Sequence, residues 1–245
     1  MKCVFLAAGY ATRLHPLTEN FPKPLLEVAG KSILDWMLDD LESGGRVDGY
    51  VVVTNHRFAG HFAAWAAGRA QGRVSVVDDG TSTNETRLGA VRDVALALER
   101  GGLDDEVLVV AGDNLLDFSL WRLVEYGRQK GTSCVMRYRE DDTARLRKSG
   151  VLTVDGNGLV TAMAEKPAVP ASHWCCPPFY YFTRADAARV REGLAAGCGA
   201  DAPGSYIAWL CTVAPVHAME MPGRRHDIGD LASYQRAQRE FGERG

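Results

Sequence analysis

The sequence lacks several features that would assign it to other functional classes. Its six cysteines show no CxxC spacing, and neither a zinc-ligand pattern nor a G-x-S-x-G motif occurs in its 245 residues. No apolar run approaches the roughly 18 residues that a membrane-spanning helix needs. The net charge of −3 also lacks the basic excess of a nonspecific nucleic-acid binder. We therefore expect neither a membrane span nor a nucleic-acid partner.

Two further absences bear on location and domain organisation. No signal-peptide apolar region precedes the first predicted strand, which favours a cytoplasmic location and free, buried thiols. No internal repeat and no obvious linker interrupts the chain, so we expect a single domain over residues 1–245 without a β-helix of hexapeptide repeats. Because 46% of the residues are hydrophobic, the chain can bury a large core.

The first half of the chain alternates short apolar runs with helical patterns. The predicted strands are Cys3–Ala7, Tyr50–Thr54, Val74–Val77 and Val107–Ala111. The predicted helices are Ile33–Glu42, Phe58–Arg69 and Leu88–Glu99, with Ser32 as the N-cap of the first. Strands separated by helices of this length predict βαβ units and a mostly parallel sheet. In such sheets a ligand binds outside the carboxyl ends of the strands.

The second half has a different pattern, with strands that follow one another more closely. A hairpin is predicted from Gly150 to Ala164, with its turn at residues 155–158. The remaining predicted elements are a strand at Phe179–Phe182, a helix at Ala185–Leu194, a strand at Val216–Met221 and a helix at Leu231–Phe241. The natural division lies near Asp117, within one fold.

The loop after the first strand carries the most specific motif. It reads Leu6-Ala7-Ala8-Gly9-Tyr10-Ala11-Thr12-Arg13-Leu14, followed by Phe21-Pro22-Lys23-Pro24-Leu25. Small residues after a strand let backbone N–H groups approach a phosphate closely. Arg13 adds a fork of donors and Lys23 a point charge, which together can neutralise a polyphosphate. The pattern G-x-x-T-R-L followed by P-K-P-L resembles the signature loop of the sugar-phosphate nucleotidyltransferases.

This resemblance implies a set of nucleotide-binding residues. Arg13 and Lys23 are the expected catalytic residues, since the matching side chains of the family contact the nucleotide's phosphates. Gly89 matches a glycine whose backbone reads the base, while Thr83, Asn84 and Arg87 are base-reading candidates that surface roles explain equally well. The predicted nucleotide-binding set is Leu6, Ala7, Ala8, Gly9, Thr12, Arg13, Lys23, Gly89 and Asp113.

Two aspartates are the predicted metal ligands. Asp113, in Gly112-Asp113-Asn114, directly follows an apolar strand, where a carboxylate can supply the hard oxygen that Mg²⁺ prefers. Asp227 lies in a D-I-G element like that of the family. The resemblance implies that Asp113 and Asp227 hold the catalytic Mg²⁺. Asp230 is predicted to cap the last helix instead. The family usually has an aromatic residue shortly before the second aspartate, whereas this chain has Arg225 and His226.

The predicted acceptor site follows the hairpin. In the family, a Glu-Lys pair at this point binds the sugar phosphate, the lysine holding the phosphate and the glutamate a hydroxyl. The resemblance therefore implies that Glu165 and Lys166 bind the acceptor. Tyr180 is the predicted third member, although the alternating aromatics of its strand are more typical of a core.

Together these motifs predict a Rossmann-like three-layer α/β/α fold, with a mostly parallel mixed sheet and a small acceptor-binding β lobe. Residues 1–117 would face the nucleotide and residues 118–245 the acceptor. The expected reaction is Mg²⁺-dependent transfer of a nucleotidyl group from an NTP to a sugar 1-phosphate, with release of pyrophosphate. A pyrimidine triphosphate is preferred by analogy with shorter family members, and the oligomeric state stays open, a homo-oligomer included.

Three other functions remain as alternatives. One is the same chemistry on phosphocholine or another alcohol phosphate or phosphonate, where an aromatic pocket would favour a quaternary ammonium group. Another is a GT-A-type glycosyltransferase, but Asn114 and Leu115 follow Asp113 where a D-x-D motif would be expected. The last is a non-catalytic nucleotide-sugar sensor, which would not need to retain both the cations and the acids.

Overall fold

The computed structural model describes residues 1–243 and confirms the α/β/α architecture. The strands are β1 (Lys2–Leu6), β2 (Glu27–Val28), β3 (Lys31–Ser32), β4 (Gly49–Thr54), β5 (Val74–Asp78), β6 (Val107–Ala111), β7 (Asn114–Leu116), β8 (Ser133–Arg139), β9 (Gly150–Val154), β10 (Val160–Glu165), β11 (Trp174–Cys176), β12 (Phe179–Phe182), β13 (Val216–Glu220) and β14 (Arg225–Asp227). The helices are α1 (Ile33–Ser43), α2 (Ala59–Ala66), α3 (Ala90–Arg100), α4 (Trp121–Lys130), α5 (Thr143–Leu146), α6 (Arg184–Ala188), α7 (Val190–Ala195), α8 (Gly204–Leu210) and α9 (Leu231–Gly242).

The four strands predicted in the first half form a parallel sector in the order β6-β1-β4-β5. Side chains of β1 alternate between two cores, since Cys3 and Phe5 pack in one cluster and Val4 in the other. Helices therefore cover both faces, which explains why the inner strands β1, β4 and β6 are largely apolar and buried. The edge strand β5 is less buried and contains Ser75. All four carboxyl ends lie at one edge of the sheet, where the Gly9 loop and Asp113 follow their strands.

The second half extends the sheet with antiparallel pairings. Strand β12 lies between β6 and β8 and is antiparallel to both, and the path continues through β11 and β9 to β10. The hairpin β9–β10 is confirmed, with Glu165 opposite Gly150. Within residues 1–243, ten strands share this mixed sheet, and β13 joins it parallel to β8.

The helix ends explain where the sequence-based boundaries hold and where they fail. Ser32 and Asp230 cap α1 and α9 as predicted, each accepting a backbone N–H from the third residue of its helix. Of the helix predicted over Phe58–Arg69, only α2 forms. A tight turn precedes α2, and Gly68 follows it in a left-handed conformation. The helix predicted over Ala185–Leu194 is two short helices, α6 and α7.

Several elements have no counterpart among the predicted ones. The two-stranded ribbon of β7 and β14 is the most important of them, since it aligns Asp227 with Asn114 across the pair. In the described part of the chain, no helix has both the length and the apolarity that a bilayer crossing would require. All six cysteines are free, four of them buried and two half-buried.

Candidate active site

The Gly9 loop is fixed at its base and open at its tip. The Ala7 N–H donates to the Val53 carbonyl at 2.8 Å, and buried Asn55 donates to the Ala8 carbonyl at 3.0 Å. Gly9 itself is exposed, and a Cβ placed on it would meet no protein atom within 4 Å. Packing within the fold therefore does not require a glycine here, and close approach of a ligand is the role that the resemblance implies for it.

Lys23 and Asp113 form an ion pair at the carboxyl end of β6. The Lys23 Nζ lies 2.7 Å from Asp113 Oδ2, and Lys23 is only 9% exposed because Pro22 and Pro24 hold it in a short turn against the sheet. Burial alone would raise the pKa of Asp113, but the Lys23 ammonium and the Arg225 guanidinium outweigh it and hold that pKa below its ordinary value.

This ion pair borders a cavity of about 250 Å³ that we call the phosphate cavity. It is lined by Leu6, Ala7, Gly9, Ala11, Arg13, Lys23, Pro24, Ala111 and Asp113. Two more predicted members, Ala8 and Thr12, belong to the same loop but are absent from this lining. The Arg13 guanidinium also approaches the D-I-G element, because its Nη2 lies 3.9 Å from where a Cβ on Gly229 would be.

The two predicted metal ligands are linked by a continuous series of contacts. Asn114 Nδ2 donates to Asp113 Oδ1 at 2.7 Å, and Arg225 Nη1 donates to Asn114 Oδ1 at 3.0 Å. The Arg225 Nη2 then lies 3.8 Å from Asp227 Oδ2. The Ile228 N–H adds a hydrogen bond of 3.3 Å to the Asp113 carbonyl. These contacts, made by the β7–β14 ribbon, place both acids in one polar network.

A second cavity, of about 310 Å³, has Asp227 in its lining, and we call it the acceptor cavity. It contains all three predicted acceptor residues and is lined by Tyr138, Lys148, Ser149, Gly150, Glu165, Lys166, Cys176, Pro177, Pro178, Tyr180, Asp201, Ala202, Pro203, Arg225 and Asp227. Two larger grooves lie elsewhere on the surface and include none of the predicted site residues.

The three predicted acceptor residues differ in their surroundings. Lys166 is exposed and adopts a left-handed backbone conformation, with its N–H donating to the Ser149 carbonyl at 3.0 Å. Burial raises the pKa of Glu165, although Lys166 and the backbone N–H of Gly204 partly offset this. Tyr180 is 2% exposed, and burial keeps its phenol neutral by raising its pKa. Its strand is core, as the alternating aromatics predict, although Tyr180 also lines the cavity.

The structure gives a reason for the glycine at position 89 that the sequence pattern does not reveal. Its φ is +94°, and a Cβ there would lie 2.5 Å from the Ala200 carbonyl oxygen. That carbonyl and the Asp201 carbonyl accept the N–H groups of Val91 and Ala90 in the first turn of α3. Gly89 is therefore required for this contact, and it borders neither cavity.

Comparisons with known proteins agree with this geometry. The model of the nucleotidyl transferase family matches residues 2–243. This chain belongs to the nucleotidyl transferase family. The resemblance seen in the signature loop is thereby confirmed.

Two curated relatives are named as transferases that act on glucose 1-phosphate. The UTP–glucose-1-phosphate uridylyltransferase of Haloferax volcanii is 30% identical over 188 residues, which cover 76% of this chain and 73% of the relative. The glucose-1-phosphate thymidylyltransferase of Streptomyces antibioticus is 30% identical over 196 residues, covering 78% of this chain and 52% of the relative. The chain spans about half the length of several curated relatives that it matches.

A solved structure has the same fold. The UDP-glucose pyrophosphorylase crystallised with UDP-glucose aligns with a TM-score of 0.83 over 100% of this chain and 99% of its own, at 19% identity. At this low identity the likeness establishes the shared fold, and the role of each side chain must come from the geometry.

The donor chemistry at Asp113 and Asp227 fits the Mg²⁺ expected of this family. Both side chains offer hard carboxylate oxygens, and both are partly exposed, by 35% and 52%. Among residues 1–243, no group of three or more His, Cys, Asp or Glu side chains is arranged to hold a metal ion. A cation here would therefore complete its coordination with phosphate oxygens and water, as Mg²⁺ at phosphate sites usually does.

Sequence reasoning missed two residues that connect the two cavities. Asn114 is fully buried and links Asp113 to Arg225. Arg225 lines the acceptor cavity two positions before Asp227. The sequence marks Arg225 as a departure from the family pattern, but only the period of a strand, in which residues i and i+2 share a face, would place it beside Asp227. That period applies only when residues 225–227 form a strand, and three residues are too few to indicate one.

Proposed function

We propose that this chain catalyses transfer of a nucleotidyl group from an NTP to a sugar 1-phosphate. The observation that carries the proposal is the polar network from Lys23 through Asp113, Asn114 and Arg225 to Asp227. One end of this network borders the phosphate cavity and the other borders the acceptor cavity. A donor phosphate and an acceptor phosphate bound in the two cavities would meet along it.

The chemistry requires positioning and charge neutralisation rather than a general base. The phosphate of a sugar 1-phosphate is already nucleophilic, and its in-line attack on the α-phosphate expels pyrophosphate. Arg13 and Lys23 would bind the oxygens on the leaving side, and Lys166 would hold the attacking phosphate. Asp113 and Asp227 would hold Mg²⁺, which supplies charge neutralisation between the reacting phosphates when bound.

We further propose which half of the chain binds each substrate, and which nucleotide is the preferred donor. Residues 1–117 would bind the nucleotide and residues 118–245 the acceptor, of which 244 and 245 lie outside the described residues. The donor would be a pyrimidine triphosphate, in line with the uridylyl and thymidylyl transferases named among the relatives.

A pyrophosphate-release screen tests this function. ATP, GTP, CTP, UTP and dTTP are each paired with a panel of sugar phosphates and alcohol phosphates, phosphocholine included, in the presence of Mg²⁺. We expect release with a pyrimidine triphosphate and a sugar 1-phosphate. Lys23→Ala should reduce turnover at least about tenfold, because it removes a charge-assisted contact worth roughly 1.5–3 kcal/mol. Arg224→Gln, an exposed cation next to the site, is the control that should retain turnover.

Two outcomes would contradict the proposal. If pyrophosphate is released only when phosphocholine is the acceptor, the acceptor is an alcohol phosphate and not a sugar 1-phosphate. No release with any pair, in a protein whose thermal unfolding is cooperative, would leave the catalytic assignment without support.

A further inference from the structure

Arg225 is a largely buried cation in the acceptor cavity. Its side chain is only 18% exposed, and its guanidinium lies 5.8 Å from the ring centroid of Tyr138. Residues 225 and 227 lie on the same face of β14, so both border the cavity. His226, on the opposite face, packs against α9, where its Nδ1 lies 3.0 Å from Glu240. The ribbon therefore directs the Arg225 charge specifically toward the cavity.

The protein's own partners use only part of the Arg225 guanidinium. Among the described residues, Asn114 accepts one of its five N–H groups, and Asp227 at 3.8 Å is beyond hydrogen-bond distance. Asn114 is neutral and Asp227 is half exposed. Asp113 also attracts the guanidinium, but its carboxylate is already paired with Lys23 at 2.7 Å, so the buried charge is only partly compensated. A planar fork held on one side and open on the other matches the oxygens of a phosphate.

The remaining charges of the cavity also favour a phosphate. Lys148 and Lys166 are exposed cations on its wall. The cavity has three acids. Asp201 is paired with Arg87 at 2.9 Å, outside the cavity lining, and Glu165 accepts the N–H of Gly204. The third, Asp227, is a predicted ligand of the metal. The three cations thus remain available to an anion, and Arg225 is the one that Asn114 links to Asp113.

We propose that Arg225 binds the acceptor's phosphate group together with Lys166. This inference rests on the proposed function for the identity of the acceptor, but the phosphate site itself does not depend on turnover. Lys166 would hold the phosphate from the hairpin side. Arg225 would bind its non-attacking oxygens from the β14 side, which leaves the attacking oxygen toward the α-phosphate.

Direct binding measurements without Mg²⁺ or nucleotide test this inference. Isothermal titration would compare glucose 1-phosphate, inorganic phosphate and unphosphorylated glucose as probes. Arg225→Gln keeps a donor for Asn114 but removes the charge, and Arg225→Lys keeps the charge but removes the fork. We expect Kd for both phosphate probes to rise about tenfold or more in Arg225→Gln and by a smaller factor in Arg225→Lys. Arg224→Gln should bind as the wild type does.

The steady-state parameters separate this inference from the proposed function. If the wild type turns over, Arg225→Gln should raise KM for the acceptor while KM for the NTP changes by less than about twofold. Unchanged phosphate binding and unchanged acceptor KM in a folded Arg225→Gln would overturn the inference while leaving the function intact. If the wild type binds glucose 1-phosphate through Arg225 but releases no pyrophosphate, the function fails and the phosphate site stands. Failure of the wild type to bind either phosphate probe would overturn the site.

Discussion

The two glycines of the predicted nucleotide site should respond in opposite ways to the same change. In Gly89→Ala, the added Cβ would lie 2.5 Å from the Ala200 carbonyl oxygen and 2.9 Å from the Asp201 Cα. In Gly9→Ala, the Cβ would meet no protein atom within 4 Å, and the backbone is not left-handed. The first substitution therefore affects folding, whereas the second affects only what enters the phosphate cavity.

The magnitude for Gly89→Ala follows from two separate costs. Its φ of +94° with ψ of 149° lies in a region that is nearly restricted to glycine, which costs an alanine about 1–3 kcal/mol. Relieving the backbone contact adds about 1–3 kcal/mol, because Ala200 and Asp201 must move away from the α3 N–H groups that they accept. The free energy of unfolding should fall by about 2–6 kcal/mol, which lowers Tm by roughly 5–20 °C in a domain of this size.

Urea and thermal unfolding of both variants, followed by circular dichroism, measure this difference. Gly9→Ala should unfold within about 0.5 kcal/mol of the wild type, while its KM for the NTP rises because the methyl group occupies space next to the phosphates. A Gly89→Ala protein that melts within about 2 °C of the wild type would refute the reasoning, since the backbone at Ala200 could then move away from the new Cβ at little cost. Equal destabilisation of both variants would refute it as well.

Three further predictions concern charged groups. Asp113→Asn and Asp227→Asn should each raise the Mg²⁺ concentration needed for half-maximal turnover at least about tenfold, and unchanged metal titrations in both would remove them as ligands. Lys166→Ala should raise KM for the acceptor more than KM for the NTP in steady-state kinetics, and the reverse order would reassign it. Burial raises the pKa of Asp93 from 3.8 to about 7 in the folded state. The unfolded chain therefore loses this proton first, so stability should fall as pH rises from about 4 to 7. In urea unfolding at pH 5 and pH 8, Asp93→Asn should lose less stability between the two pH values than the wild type does. An equal loss in both proteins would assign the pH dependence to other groups.

The parallel half of the fold is predictable from the sequence because its three inner strands, β1, β4 and β6, are largely buried on both faces. The predicted Val107–Ala111 agrees with β6 residue for residue, and Cys3–Ala7 differs from β1 by one residue at each end. Continuous apolar runs bounded by turn residues indicate such strands whatever their neighbours are. The signature loop and Asp113 can be located for the same reason, since each directly follows one of these strands.

The antiparallel half is less predictable because its strands are defined by their partners. Strand β8 mixes buried and partly exposed positions, since it is paired on both sides and covered unevenly, and its Ser133–Arg139 segment is missing from the predicted strands. Strands β7 and β14 have only three residues each and pair across more than a hundred positions of sequence. No local pattern in three residues distinguishes a strand from a loop.

The same long-range pairing explains why the sequence shows the charge at residue 225 only as a departure from the family pattern. Because β14 is a strand, its period of two requires the side chains of Arg225 and Asp227 to share one face. Asp227 is a predicted ligand for the metal at the reacting phosphates, so a cation on that face must meet the same phosphates or be neutralised by the protein. Asn114 contributes an oxygen to Arg225 but no charge, and the Asp113 carboxylate is shared with Lys23, so the guanidinium is compensated only in part. A substrate phosphate completes the compensation, which makes the arginine part of the site rather than an incidental replacement.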